Sequence, residues 1–131
     1  MAAAVDAVQR FLGAESWAEG AQTLAEDVEW WVAGSPELLP FSGTVRGPDA
    51  VVEWHKVLRA LFHYGDDQEV VSLSGDDEVA LLLFRATVTA LPTGRSFVSE
   101  IARVFFVRDG RIEGVRSYFD THAYVTALGA S

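Results

Sequence analysis

The stretch "EVVSLSGDDEVALLLFRATVTALPTGRSFVSEIARVFFVRDGRIEGVRSYFD", residues 69–120, decides the fold. It divides into four runs rich in Val, Leu, Ile and Phe: "EVVSLS", "EVALLLFRATVTAL", "RSFVSEIARVFFV" and "RIEGVRSYFD". Between them stand "GDD", "PTG" and "RDG", connectors made of residues that reverse a chain in a few positions. Strands joined this way pair antiparallel with their sequence neighbours, so the stretch predicts a four-stranded meander.

Upstream of it the period lengthens. In "RGPDAVVEWHKVLRALF" (46–62), Val51, Trp54, Leu58, Leu61 and Phe62 form a helical stripe, with Pro48 suited to the first turn. "GSPELLPFSG" is a loop punctuated by Pro36 and Pro40. "DVEWWVAG" alternates, with Val28, Trp30 and Val32 on one face and Asp27, Glu29 and Trp31 on the other, as in a half-buried strand. "SWAE" opens a short helix that Ser16 can cap and Glu19 can complete, with Trp17, Ala21 and Leu24 on its inner face. Val5, Val8, Phe11 and Leu12 repeat at helical spacing until Gly13. The order is helices, strand, helix, then meander. That predicts an α+β fold: a curved antiparallel sheet with helices packed on one face, in one domain spanning residues 1–131.

Composition narrows the function. Ten basic residues against nineteen acidic ones give a net charge of −9, which repels phosphate backbones and argues against nucleic acid as a partner. No basic amphipathic stretch suggests a membrane surface, and no apolar run is long enough to span one. Without cysteine there is no disulfide, thiolate nucleophile or thiolate metal site. "MAAAVDAVQRFLG" does not read as a signal peptide, so a cytoplasmic protein is expected. No Gly-rich phosphate loop or nucleophile elbow is present, and no cofactor is expected. Asp120 and His122 stand two apart with no evident third ligand, so no metal site is expected.

Three polar residues interrupt apolar patterns. Asp120 ends the last strand after Tyr118 and Phe119. It is either a general base whose pKa an apolar pocket raises, or a solvated carboxylate capping "THAYVTAL" (121–128). Strand parity forbids Phe119 and Asp120 from both facing inward unless a bulge or the strand's end turns one of them. His55 falls between Val51, Leu58 and Phe62 on the helix stripe. It is either a proton partner or a core histidine satisfied by a carbonyl. Arg103 interrupts "IARVFFV". It either binds a substrate carboxylate or oxyanion, or forms an ion pair on an outer, dimer-forming face. Trp30, Phe84 and Phe119 line a pocket for an apolar or aromatic molecule if parity holds, while Trp31 and Glu29 face the other way.

The stretches "AEDVEWWVAG", "FSGTVRGPDAV" and "ALPTGRSF…VFFVRDGRIEGVRSYFD" resemble the nuclear transport factor 2 superfamily, a cystatin-like cone fold. It includes ketosteroid isomerase, SnoaL-like polyketide cyclases, scytalone dehydratase and limonene epoxide hydrolase, and it implies a cone-shaped, barrel-like curved sheet wrapped on the N-terminal helices. The resemblance spans nearly the whole chain and is specific for fold more than for reaction. Asp120 matches the terminal-strand Asp that activates water in limonene epoxide hydrolases and serves as acid–base residue in SnoaL-like cyclases. The remaining polar residues of the epoxide hydrolases fall on Phe84, Ala86, Trp30 and Val32, with Arg85 one residue off. The ketosteroid isomerase base falls on Val32 or Trp31, and its oxyanion-binding Asp near Arg103.

The resemblance implies an acid–base enzyme of the cyclase or isomerase kind. It would need no cofactor and would act on a hydrophobic carbonyl compound. Asp120, His55 and Arg103 would be its catalytic residues, and Trp30, Val32, Phe84, Ala86, Tyr118 and Phe119 would line its substrate site. A homodimer through the sheet is expected, with Trp31, Arg85 and Arg103 offering surfaces for it. The alternatives are a non-catalytic apolar-ligand-binding or dimerisation module, and an epoxide hydrolase with an altered site.

Overall fold

The computed structural model describes residues 2–129. Its elements are α1 (Ala3–Leu12), α2 (Trp17–Gly20), β1 (Leu24–Val32), β2 (Gly43–Arg46), α3 (Pro48–Leu61), β3 (Phe62–Tyr64), β4 (Glu69–Gly75), β5 (Val79–Ala90), β6 (Ser96–Arg108), β7 (Arg111–Tyr118) and α4 (Thr121–Ala127), with one 3₁₀ turn at Ala21–Thr23. The strands form one sheet in the order β2-β1-β7-β6-β5-β3, and β4 also pairs with β5. The sheet curls into a half-barrel with the N-terminal helices inside the curl.

The meander forms as its turns dictate. In "RDG", Asp109 and Gly110 both take positive φ (53° and 76°), the geometry whose twist matches a two-residue hairpin. Along β5 the even-numbered positions from Ala80 to Ala90 are buried and face the helices. Along β6 the odd positions do the same: Ser99, Ile101, Phe105 and Val107 are buried, and Arg103 falls in this row.

Two short strands and one pairing depart from the expected pattern. β2 and β3 are four and three residues long, too short for a periodic signal. Phe62 is fully buried as the stripe predicts, but as the first residue of β3 rather than the last of the helix. The sheet is mixed, because β1 pairs parallel with β7, through Trp30↔Val115 and Val32↔Ser117. Turn residues fix the sense of sequential hairpins only; strands more than eighty positions apart are joined by packing.

α1 closes the curl. Phe11 packs on Phe105 (6.2 Å) and Trp30 (5.9 Å), the Arg10 guanidinium donates to Gly110 O (2.8 Å), and Ala4 N donates to Asp76 O (3.1 Å). Ser16 Oγ caps α2 by accepting from Glu19 N (3.1 Å), while the Glu19 carboxylate accepts from Glu15 N. α3 is tied to the preceding loop by Trp54 Nε1, which donates to Phe41 O at 2.6 Å. No helix of the described residues is long and apolar enough to cross a membrane.

Candidate active site

Between α1, α2, α3 and the inner face of β5 and β6 lies a cavity of about 360 Å³. Phe11, Trp17, Leu58, Leu82 and Phe84 supply its apolar walls, and Glu15, Arg59 and Glu69 are among its exposed residues. His55, Tyr64 and Arg103 bring polar groups to it.

Arg103 is there by parity, in the inward row between Ile101 and Phe105. Its guanidinium carbon lies 5.0 Å from the Phe84 ring centroid, 5.3 Å from Trp30 and 5.9 Å from Trp54. Nε donates to Ser117 Oγ at 3.2 Å. None of the four ion pairs among the described residues involves Arg103. Burial lowers its pKa to about 10, against the opposing influence of Tyr64 and Tyr124. The group remains a cation, held by aromatic faces worth roughly 0.5–2 kcal/mol each instead of by a carboxylate. Arg103 is half-buried; a cation kept largely from water without a counter-charge is costly, and an incoming anion or developing oxyanion relieves that cost.

His55 stacks on Trp17, with centroids 4.1 Å apart and planes at 16°. Its pKa is lowered to about 4, chiefly by burial, then by the charges of Arg59 and Arg103. At neutral pH the imidazole is therefore uncharged and keeps a nitrogen lone pair for a proton. Trp30 is fully buried beneath Arg103, and its Nε1 is the one buried side-chain polar atom without a partner among the described residues.

Of the nine residues marked in the sequence, the structure brings His55, Phe84 and Arg103 to the cavity. The outer-face reading of Arg103 is overturned. Asp120 is a correction: it is exposed, and its carboxylate accepts from Ala123 N at 3.2 Å as the N-cap of α4. The strand ends at Tyr118, so Phe119 turns inward against Tyr124 (4.6 Å) and Asp120 turns out. Tyr118 is also a correction; it lies on the outer face, 5.2 Å from Trp31 and bonded to Arg116. Trp30, Val32 and Ala86 are core residues outside the cavity lining.

Sequence reasoning missed a buried polar cluster. Tyr64 OH lies 3.0 Å from Tyr124 OH, which lies 2.8 Å from Ser99 Oγ. Tyr64 sits in "YGDDQ", whose turn residues mask it, and Tyr124 follows Asp120 in "THAYVTAL" at a spacing that reads as plain helix packing. The only available signal was the inward parity of Ser99, one step along β6 from Ile101 and two from Arg103.

Residues 5–115 match the SnoaL-like domain. The chain belongs to the SnoaL-like domain family. Solved structures agree on the fold. A protein from Burkholderia pseudomallei described as NTF2-like is 21% identical with a TM-score of 0.86, covering 99% of this chain and 100% of its own. A protein from Rhodopseudomonas palustris, provisionally named an isomerase, is 22% identical with a TM-score of 0.78, covering 94% and 96%. A protein from Jannaschia, provisionally named a SnoaL-like polyketide cyclase, is 15% identical with a TM-score of 0.78, covering 98% and 93%. At these identities the likeness is one of fold. A comparison with curated proteins returned no match.

Proposed function

We propose that this SnoaL-like domain is an enzyme that forms an enolate on a small, apolar, carbonyl-bearing substrate. The observation that carries this reading is Arg103: a largely desolvated cation with no carboxylate partner among the described residues, at the wall of an aromatic cavity. In the proposed step, neutral His55 takes a proton from the carbon next to the carbonyl. The C–H electron pair moves into the enolate, and its charge collects on the oxygen beside Arg103. Burial and then the charges of Arg59 and Arg103 disfavour the imidazolium, and the enolate charge offsets the part due to Arg103. Return of the proton to another carbon is an isomerisation. Attack of the enolate carbon on a second carbonyl is an aldol cyclisation. The names carried by fold neighbours, isomerase and polyketide cyclase, lie within this chemistry.

The experiment is deuterium exchange at the C–H next to the carbonyl of a panel of cyclic aryl ketones, followed by NMR in D₂O. Wild type is expected to exchange at least one ketone faster than buffer. His55→Gln should slow this by about 10²-fold or more and Arg103→Met by about 10²–10³-fold. Exchange at the buffer rate throughout would overturn the reading.

A ligand-binding role without turnover is the second reading. It is favoured by the lack of a deep carboxylate among the described residues of the cavity: Glu15 and Glu69 are exposed, and Glu69 is paired with Arg85 at 2.9 Å. Tight ketone binding without exchange would select it. Epoxide opening loses support, since Trp30, Val32, Phe84 and Ala86 are apolar and Asp120 lies outside the cavity. The proposal includes a homodimer through the outer face of the sheet, where Leu81 and Val98 are 50% and 66% exposed.

A further inference from the structure

Ten Lys and Arg side chains stand against nineteen Asp and Glu in this chain. Four of the ten form ion pairs with glutamates. Five more, Arg103 among them, donate to backbone or hydroxyl oxygens. Arg59 is the tenth, and its side chain has neither an ion pair nor a hydrogen bond among the described residues. In a chain with so many carboxylates to spare, the one cation left unpartnered borders the cavity.

Arg59 follows His55 by four residues on α3, which sets the two one above the other on one helix face, about 6 Å apart along its axis. Arg59 is exposed, whereas His55 and Arg103 are half-buried, so Arg59 stands at the mouth and the other two lie deeper. The cavity's own glutamates do not neutralise it. Glu69 is held by Arg85 at 2.9 Å, and Glu15, on the segment between α1 and α2, is in no ion pair among the described residues. The net charge of −9 is screened beyond about 8 Å at physiological salt, so a molecule at the mouth meets Arg59 rather than the surface as a whole. The interior is locally positive: Arg59 and Arg103 both act on His55, and no carboxylate acts against them there.

We propose that the substrate carries a carboxylate of its own, which Arg59 holds at the mouth while the carbonyl lies deeper, beside Arg103. This rests on the enolate reading above and narrows its substrate class to an apolar ketone with an acid group at one end. A guanidinium takes a carboxylate through two parallel N–H···O bonds, which fixes orientation as well as charge. Bound there, the carboxylate also offsets one of the two cations that disfavour the imidazolium, so an acid-bearing substrate makes His55 a better base than it is in the empty site. A neutral ketone of the same shape leaves that part of the field in place.

The test uses tetralones bearing a ring carboxylate, each matched with its methyl ester. Binding is measured by titration calorimetry near neutral pH, and exchange at the C–H next to the ketone by NMR in D₂O, so the two are read separately. Wild type is expected to bind at least one acid about tenfold more tightly than its ester. Arg59→Gln should bring the two affinities within about twofold of each other, and Arg59→Glu should favour the ester. Lys56→Gln removes the same charge from the same helix outside the cavity lining, and it should keep the wild-type preference. Failure to bind any of the acids, equal binding of acid and ester, or a preference that survives Arg59→Gln overturns the carboxylate site. Exchange of the esters faster than buffer then leaves the enolate reading standing. A preference that depends on Arg59, with no exchange of either form, supports the carboxylate site and overturns the enolate reading.

Discussion

At the scale of single residues, function and stability are opposed at Arg103. Its cation is desolvated against three rings and meets one hydroxyl. Replacing such a half-buried, unpaired charge by an apolar chain of similar length is expected to leave stability unchanged or raise it by up to about 1 kcal/mol, even as activity is lost. Urea denaturation of Arg103→Met checks this, and a clear fall in midpoint would mean that the cation stabilises the fold.

His55 makes a second prediction. Its folded pKa, about 4, lies below the ordinary 6.5, so the unfolded chain binds the extra proton first as pH falls. Stability should therefore decline from about pH 6.5 towards about pH 4 in wild type, and decline less in His55→Gln. Both side chains were legible in the sequence because each breaks an apolar pattern with a defined parity. The hydroxyl cluster was not, since contact between β3, β6 and α4 leaves no periodic trace.

At the scale of elements, α4 shows how one residue reads two ways. Asp120 stands where a terminal-strand base is expected and also where a helix needs a cap. β7 ends at Tyr118, so the carboxylate turns outward and the cap reading is the one realised. Asp120→Ala is then expected to cost about 1 kcal/mol of stability, with Asp120→Asn near neutral, since Asn caps as well as Asp. Thermal melts of the two variants separate these outcomes; a base would show large rate losses in both and little change in melting. The hairpins of β4 to β7 were legible because turn chemistry and period-two burial agree. β2 and β3 were not, being shorter than the window in which alternation can be counted.

At the scale of the whole molecule, the inner face of the curl is given to the core and the cavity, and the outer face is left half apolar. β5 and β6 align Thr87 with Val98 and Leu81 with Val104 on that outer face. A second copy covering it is the expected assembly. Light scattering at micromolar concentration should show a dimer, which Val98→Lys weakens; a wild-type monomer would contradict it. The parallel pairing of β1 with β7 belongs to this scale as well. It brings Trp30 beside Val115 and Val32 beside Ser117, completing the floor beneath Arg103, and no local signal in either strand announces it.

The central question is which charged group does the work. Deuterium exchange into a responsive ketone, compared between Arg103→Met and Asp120→Asn, decides it. The expected result is a loss of about 10²-fold or more at Arg103 and a rate within about twofold of wild type at Asp120. An Asp120→Asn rate collapsed by orders of magnitude, with Arg103→Met near wild type, would contradict the assignment of the centre to the cavity.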